Sequence, residues 1–342
     1  MNMERTGTNR RALLRLVAAT AVAGTIGTAA MAQEFTISIA TGNNRPHPNL
    51  AMADYMKEQL EARSDGRLAV QVFTAGQLGS QQDMFEQVRM GVVEVAINVA
   101  QNVAPFVPEM QVFQLSYLFP DYTAFNAVIA DGSPVHDILS ASVAANLDST
   151  LLALSGGGTR NVSTARREVL SPADMAGLQM RVGASPVTAA IWGALNTNPV
   201  VVDFGETYSA MQTGLINATE SSISAYESSR FYEVAPFLSM TQHEFMVSVA
   251  VASDRALARL PEDLRNLIIE VGRETESIGT AFGIEADDEI VDRLVAQHGI
   301  TVSLPDTDAF VEVLVPLHTR IAADMGVGEL LAAIQATVAA TR

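Results

Sequence analysis

The chain contains no cysteine, one lysine (Lys57) and one tryptophan among its 342 residues. Without cysteine there is no disulfide framework, no thiolate metal site, no thiol nucleophile and no lipid carried on a Cys. The fold must rest on core packing alone. A single lysine also leaves little room for Schiff-base chemistry. Positive charge is scarce overall: 21 bases face 38 acids, a net charge of -17. That balance sets the chain against nucleic acid and anionic lipid as main partners, because both need a cationic surface. What is present is apolar material. Hydrophobic residues make up 48% of the chain and charged ones 17%, enough for one large or two medium domains and incompatible with a disordered or fibrous chain.

Residues 1–32 join a basic start (Arg5, Arg10, Arg11, Arg15), an uncharged stretch from Leu16 to Ala30 and the small-residue ending Ala30-Met31-Ala32. This is the pattern of a secretory signal peptide, too short and too rich in Ala, Thr and Gly for a membrane span. Asn9-Arg10-Arg11-Ala12-Leu13-Leu14-Arg15 also fits a twin-arginine signal, and the general export route fits equally well. Cleavage after Ala32 removes four arginines and Glu4, leaving 17 bases against 37 acids, a net charge of -20. No later stretch is long and apolar enough to span a bilayer, so the mature chain is expected to be soluble, with no membrane insertion of its own.

Phe35-Thr36-Ile37-Ser38-Ile39 and Leu68-Ala69-Val70-Gln71-Val72 alternate as strands. Between them Leu50, Ala53, Met56 and Leu60 recur at helical spacing behind the candidate cap Asn49. This is a βαβ unit and implies a parallel sheet. A helix over Gln81–Met90 leads to a strand at Val93–Val99. The grammar restarts with a strand at Leu151–Leu154, glycines 156 to 158, a strand at Leu178–Val182, a helix from Ser185, a strand at Val200–Phe204 and a helix over Glu206–Gln212 closed by Gly214. Met246–Ala252 suits a buried strand. From Leu264 nearly to His298 the apolar residues keep a helical period, long enough for one helix to cross two lobes, although glycines 272, 279 and 283 could mark a break.

Enzyme motifs are missing: there is no G-x-S-x-G, P-loop, G-x-G-x-x-G or H-E-x-x-H. The histidines (47, 136, 243, 298 and 318) lie too far apart for a metal signature, and no metal or cofactor is expected. Instead, Arg160, Arg166, Arg167 and Arg181 cluster where the second α/β block opens. Arg181 interrupts the apolar strand Leu178-Gln179-Met180-Arg181-Val182. A buried guanidinium needs an anionic partner, which is either an internal acid or a ligand. Arg160, after three glycines, reads as a loop charge on its own.

Met175-Ala176-Gly177-Leu178-Gln179-Met180-Arg181-Val182, Ser185-Pro186, Asn198-Pro199, Phe204-Gly205-Glu206, Met211-Gln212-Thr213-Gly214 and Arg230-Phe231-Tyr232-Glu233-Val234 together resemble the solute-receptor subunit of tripartite ATP-independent periplasmic (TRAP) transporters. Arg45-Pro46-His47-Pro48, Gly76-Gln77-Leu78-Gly79 and Pro261-Glu262-Asp263-Leu264 extend the similarity over nearly the whole mature chain. The resemblance implies an α/β, two-lobed periplasmic binding protein fold with an interlobe cleft, crossing strands and a lobe-spanning helix. The expected lobes are residues 33–157 with 247–286, and 158–246 with 287–342. It implies a periplasmic receptor, not an enzyme, that hands a small organic acid to a TRAP permease. Arg181 falls on the arginine of the family's G-L-x-x-R motif and is expected to bridge the ligand carboxylate with both nitrogens.

Arg160 matches a second cleft position, Phe204 an aromatic against the ligand, and His243 a cleft histidine. His47, Asn98 and Gln101 are candidate donors from the first lobe. Where many members carry D-G-Q-E-N, this chain reads Asn217-Ala218-Thr219-Glu220-Ser221, so Ser221 replaces an asparagine that assists the arginine. Glu220, Ser222 or Tyr226 could supply that contact instead. The extra hydroxyl-bearing side chains leave room for a sugar acid beside simple dicarboxylates. Two other classes remain at this point: a secreted hydrolase with dispersed catalytic residues, and a receptor that presents its ligand to a sensor.

Overall fold

The computed structural model describes residues 33–342. The expected signal peptide and its cleavage site after Ala32 lie outside the described residues. The alternating segments form β1 (Phe35–Ala40) and β2 (Leu68–Phe73), parallel neighbours joined by the helix Pro48–Arg63, which turns Leu50, Met52, Ala53, Met56 and Leu60 inward. The cap is His47, not Asn49: Nδ1 of His47 accepts from the Asn49 backbone N–H. The Asn49 side chain is drawn into the core, donating to Asn43 Oδ1 at 2.9 Å and accepting from Ser248 Oγ at 2.6 Å. Helix Gln81–Met90 starts at a Ser80/Asp83 capping box, which satisfies two orphan backbone donors, and leads to β3 (Val95–Val99) on the other side of β1.

Two elements are far longer than the sequence pattern indicates. β4 (Ser149–Thr164) runs 16 residues, through the three glycines rather than stopping at them. They carry a register shift between Gly156 and Thr159, with Gly158 at φ +82°. A bulge of this kind bends a strand without ending it. β5 (Gln179–Val182), β6 (Asn198–Val201) and β7 (Ala218–Ser222) follow, with helix Pro186–Ala194 capped by Ser185, and helix Thr207–Thr213 ending at Gly214 with φ +77°. Phe204 sits past the end of β6, in the turn Phe204–Glu206. The segment Met246–Ala252 proves to be the second half of β8 (Phe237–Ser253), 17 residues long. β9 (Thr301–Ser303) adds to its first half.

The strands form one mixed sheet in the order β2-β1-β3-β8-β4-β7-β5-β6. Pairing is parallel within β1, β2 and β3 and within β5, β6 and β7, and antiparallel where β4 and β8 join the halves. The two lobes therefore share a pair of crossing strands. One 37-residue helix, Glu262–His298, spans them: Leu264, Ile268 and Val271 pack with Met52, Met56 and Leu60, whereas Ile290 and Leu294 pack with Ile223, Tyr226 and Phe231. The helix runs unbroken through its glycines, and Gly272 and Gly279 are sites of close approach. A Cβ at Gly272 would lie 2.8 Å from Leu152 Cδ1, and one at Gly279 would lie 2.4 Å from Ser155 Oγ.

Candidate functional site

A cleft is lined by residues that follow the carboxyl ends of parallel strands: Asn43 after β1, Gln101 and Asn102 after β3, Gly183, Ala184 and Ser185 after β5, and Phe204 after β6. It opens outward past Gly76, Gly79 and Asp203. Backbone amides and loop side chains converge at such strand ends, which is where open α/β sheets hold ligands.

Arg181 and Arg160 both line this cleft, and both are buried, at 6% and 4% exposure. Their surroundings differ. Arg160 lies on β4 between β7 and β8, opposite Ser222 and Glu244. It donates from Nε to Glu220 Oε2 at 2.5 Å and from Nη2 to Glu220 Oε1 at 2.8 Å, a bidentate internal ion pair. Burial works against charge on both partners, but their mutual attraction outweighs it, holding the Glu220 carboxyl far below and the Arg160 guanidinium above the usual range. Arg160 is thus a strand residue with its own acid, not a loop charge.

Arg181 donates Nε to the Val202 carbonyl at 2.9 Å and lies 5.7 Å from the Phe204 ring centroid, within cation–π range. Among the described residues no carboxylate comes within 4.0 Å of it. Desolvation pulls its pKa down to about 10, with Glu220 and Asp203 countering and Arg160 adding to the fall. It stays charged at neutral pH, a buried cation without a counter-ion. A lone buried charge costs several kcal/mol.

Glu244 lies 3.8 Å from Arg160 Nε and accepts from Gln101 Nε2 at 3.1 Å. Desolvation pushes it up to about 8, against the pull of Arg160 and with repulsion from Glu220. Burial keeps His47 neutral, its pKa pushed down to about 3 with a further contribution from Arg160. Because His47 Nδ1 accepts a hydrogen bond, the neutral ring carries its proton on Nε2. That Nε2 is buried without a partner, and the residue lines the cleft. Gln81, Gln82 and Asn102 add carboxamides to the same wall, with Asn102 Nδ2 donating to Gln81 Oε1 at 2.5 Å.

Arg181, Arg160, Phe204, His47 and Gln101 are therefore brought together. The other candidates stand elsewhere. Asn98, fully buried in β3, accepts from the Gly42 N–H at 2.8 Å and donates to Met84 Sδ, which fixes the loop after β1. Tyr226 is a core residue whose hydroxyl donates to the Ala235 carbonyl at 2.8 Å. Glu220 reaches the site through Arg160. By strand alternation Ser221 faces the other side of β7 from Glu220, and it is not among the lining residues. His243 lies beneath the cleft in a bulge of β8, with Gln242 at φ +44°; Nδ1 bonds Thr241 Oγ1 at 2.9 Å, and Nε2 stands 3.5 Å from Glu220 Oε2 without hydrogen-bond geometry. Asn43, Gln81, Gln82, Asn102 and Ser185 escaped the sequence reading, although the rule that ligands gather after parallel strands points to Asn43, Asn102 and Ser185.

The chain belongs to the bacterial extracellular solute-binding protein family 7 (DctP), whose model matches residues 39–324. A solute-binding protein of Sulfitobacter sp. (strain NAS-14.1) is 30% identical over 94% of this chain and 97% of its own. The C4-dicarboxylate-binding periplasmic protein DctP of Rhodobacter capsulatus is 27% identical over 96% of this chain and 99% of its own. The crystal structure of a TRAP periplasmic solute binding protein from Sulfitobacter sp. NAS-14.1 with bound α-D-taluronate superposes with a TM-score of 0.82, at 29% identity, over 88% of this chain and 97% of that one. The family is one of solute receptors, and the two-lobed α/β fold is theirs.

Proposed function

We propose that this chain is the periplasmic receptor of a TRAP transporter, which closes around a small organic acid, anchors its carboxylate on Arg181 and delivers it to the membrane permease. The observation that carries this reading is a buried, charged guanidinium that lines a cleft and has no carboxylate within 4.0 Å among the described residues. A bidentate carboxylate supplies the missing counter-charge in the geometry a guanidinium favours. The His47 Nε2–H, the Gln101 amide and the Phe204 ring complete the contacts. Hydrogen bonds to charged groups contribute about 1.5–3 kcal/mol each, so an arginine bridge with a few polar contacts supports micromolar or tighter binding.

The relatives' ligands, a uronate in one and C4-dicarboxylates in another, favour sugar acids or dicarboxylates as the solute class. Closure moves residues 33–157 with 247–286 against 158–246 with 287–342, a hinge motion through β4, β8 and the long helix. A thermal-shift screen over sugar acids, C4-dicarboxylates, 2-oxo acids and aromatic acids tests the reading. A ligand that binds only the native state stabilises it by about 2.7 kcal/mol at 100 times its dissociation constant. A panel without any shift would count against an organic-acid receptor.

A further inference from the structure

We infer that the cleft selects acids with a single carboxylate and several hydroxyl or carbonyl groups over acids with a carboxylate at each end. This rests on the reading of Arg181 as the anchor and narrows the ligand class within it. Among the described residues, two cationic side chains line the cleft, Arg160 and Arg181. Glu220 occupies Arg160 through two hydrogen bonds from the guanidinium to its carboxylate. That leaves one cation free to meet one anion.

Among the described residues, the rest of the wall offers no second counter-charge. His47 is neutral, with an unpartnered Nε2–H. The carboxamides of Gln81, Gln82, Gln101 and Asn102 line the same cleft as Arg181. The outer opening carries Asp203, an acid. Carboxamides both donate and accept, as hydroxyls do, whereas a carboxylate only accepts. An amide wall therefore matches a polyhydroxylated chain. A second carboxylate there is taken out of water without a cation, which is the costly arrangement. Glu244 works in the same direction: burial favours its protonated form, so Glu220 alone balances Arg160.

Calorimetric titration of the mature protein with matched anions tests this: D-galacturonate, D-galactonate, D-glucuronate and D-gluconate against galactarate and D-glucarate, which keep the four secondary hydroxyls and carry a second carboxylate in place of the aldehyde or primary alcohol, together with succinate. The expected result is that at least one monoacid binds tenfold or more tighter than its diacid counterpart and than succinate. Tighter binding of a diacid overturns the inference and leaves the organic-acid receptor standing. Binding of no member also overturns the inference, while the receptor reading then stands or falls on the 2-oxo and aromatic acids of the wider screen. The double variant Glu220→Gln/Glu244→Gln gives a second readout, because it removes both carboxylates beside Arg160 and releases it as a second cation: in a variant whose circular dichroism is native, the preference for the monoacid falls at least tenfold. An unchanged preference in that folded variant overturns the charge argument.

Discussion

Arg160 and Arg181 are buried arginines of one cleft, and a single difference separates their roles: Glu220 neutralises the first, and among the described residues no carboxylate pairs with the second. Removing them should therefore have opposite consequences. Arg160→Ala leaves Glu220 as an unpaired buried carboxylate, and breaking such a pair costs about 3–5 kcal/mol, so the variant should melt well below the parent in calorimetry. Arg181→Ala removes an uncompensated charge. Its melting temperature should stay level or rise, while affinity for the solute drops at least 100-fold in titration. A variant that lost stability and kept affinity would reverse the assignment. Arg181 was legible in the sequence because a charge inside Met180-Arg181-Val182 breaks an apolar strand. Glu220 was not legible as the partner of Arg160. The two are 60 residues apart, and their meeting depends on the antiparallel register of β4 against β7.

At the scale of elements, the βαβ units, the helix Gln81–Met90 and the long helix follow from period and capping, and the structure contains them all. The crossing strands were less visible. β4 holds Gly156, Gly157 and Gly158, which read as a loop because glycine weakens a strand. They persist in it because β8 pairs alongside across the register shift. β7 was missed, since Ala-Thr-Glu-Ser-Ser shows no apolar alternation although all five residues are buried. The glycines of the long helix give a direct test. Alanine at Gly279 gains about 1 kcal/mol in helix propensity, but its methyl enters space held by Ser155 Oγ and Met52 Sδ. Overpacking costs about 1–3 kcal/mol, so Gly279→Ala should unfold at a lower urea midpoint. A raised midpoint would show that the helix has room to move off the strand.

The whole molecule carries two opposed pH dependences. His47 has a folded pKa of about 3 against an ordinary 6.5, so its contribution is present above pH 6.5 and is lost as the pH falls toward 3. Glu244 has a folded pKa of about 8 against an ordinary 4.5, so its contribution is full below 4.5 and is lost as the pH rises through 8. At about 1.4 kcal/mol per pKa unit, the parent should lose about 2 kcal/mol relative to Glu244→Gln between pH 6 and pH 8, measured by urea unfolding at both. Parallel curves would place Glu244 in contact with water. The net acidity of the chain acts on a different scale from its site. A charge of -20 on residues 33–342 repels anions at long range, but salt screens this beyond roughly 8–10 Å, so capture depends on the local cation. The most direct test of that capture is a crystal structure of the protein with the acid that stabilises it most. The ligand carboxylate is expected on both terminal nitrogens of Arg181, with Glu220 still paired to Arg160. A carboxylate bound elsewhere, with Arg181 left without an anion, would contradict it.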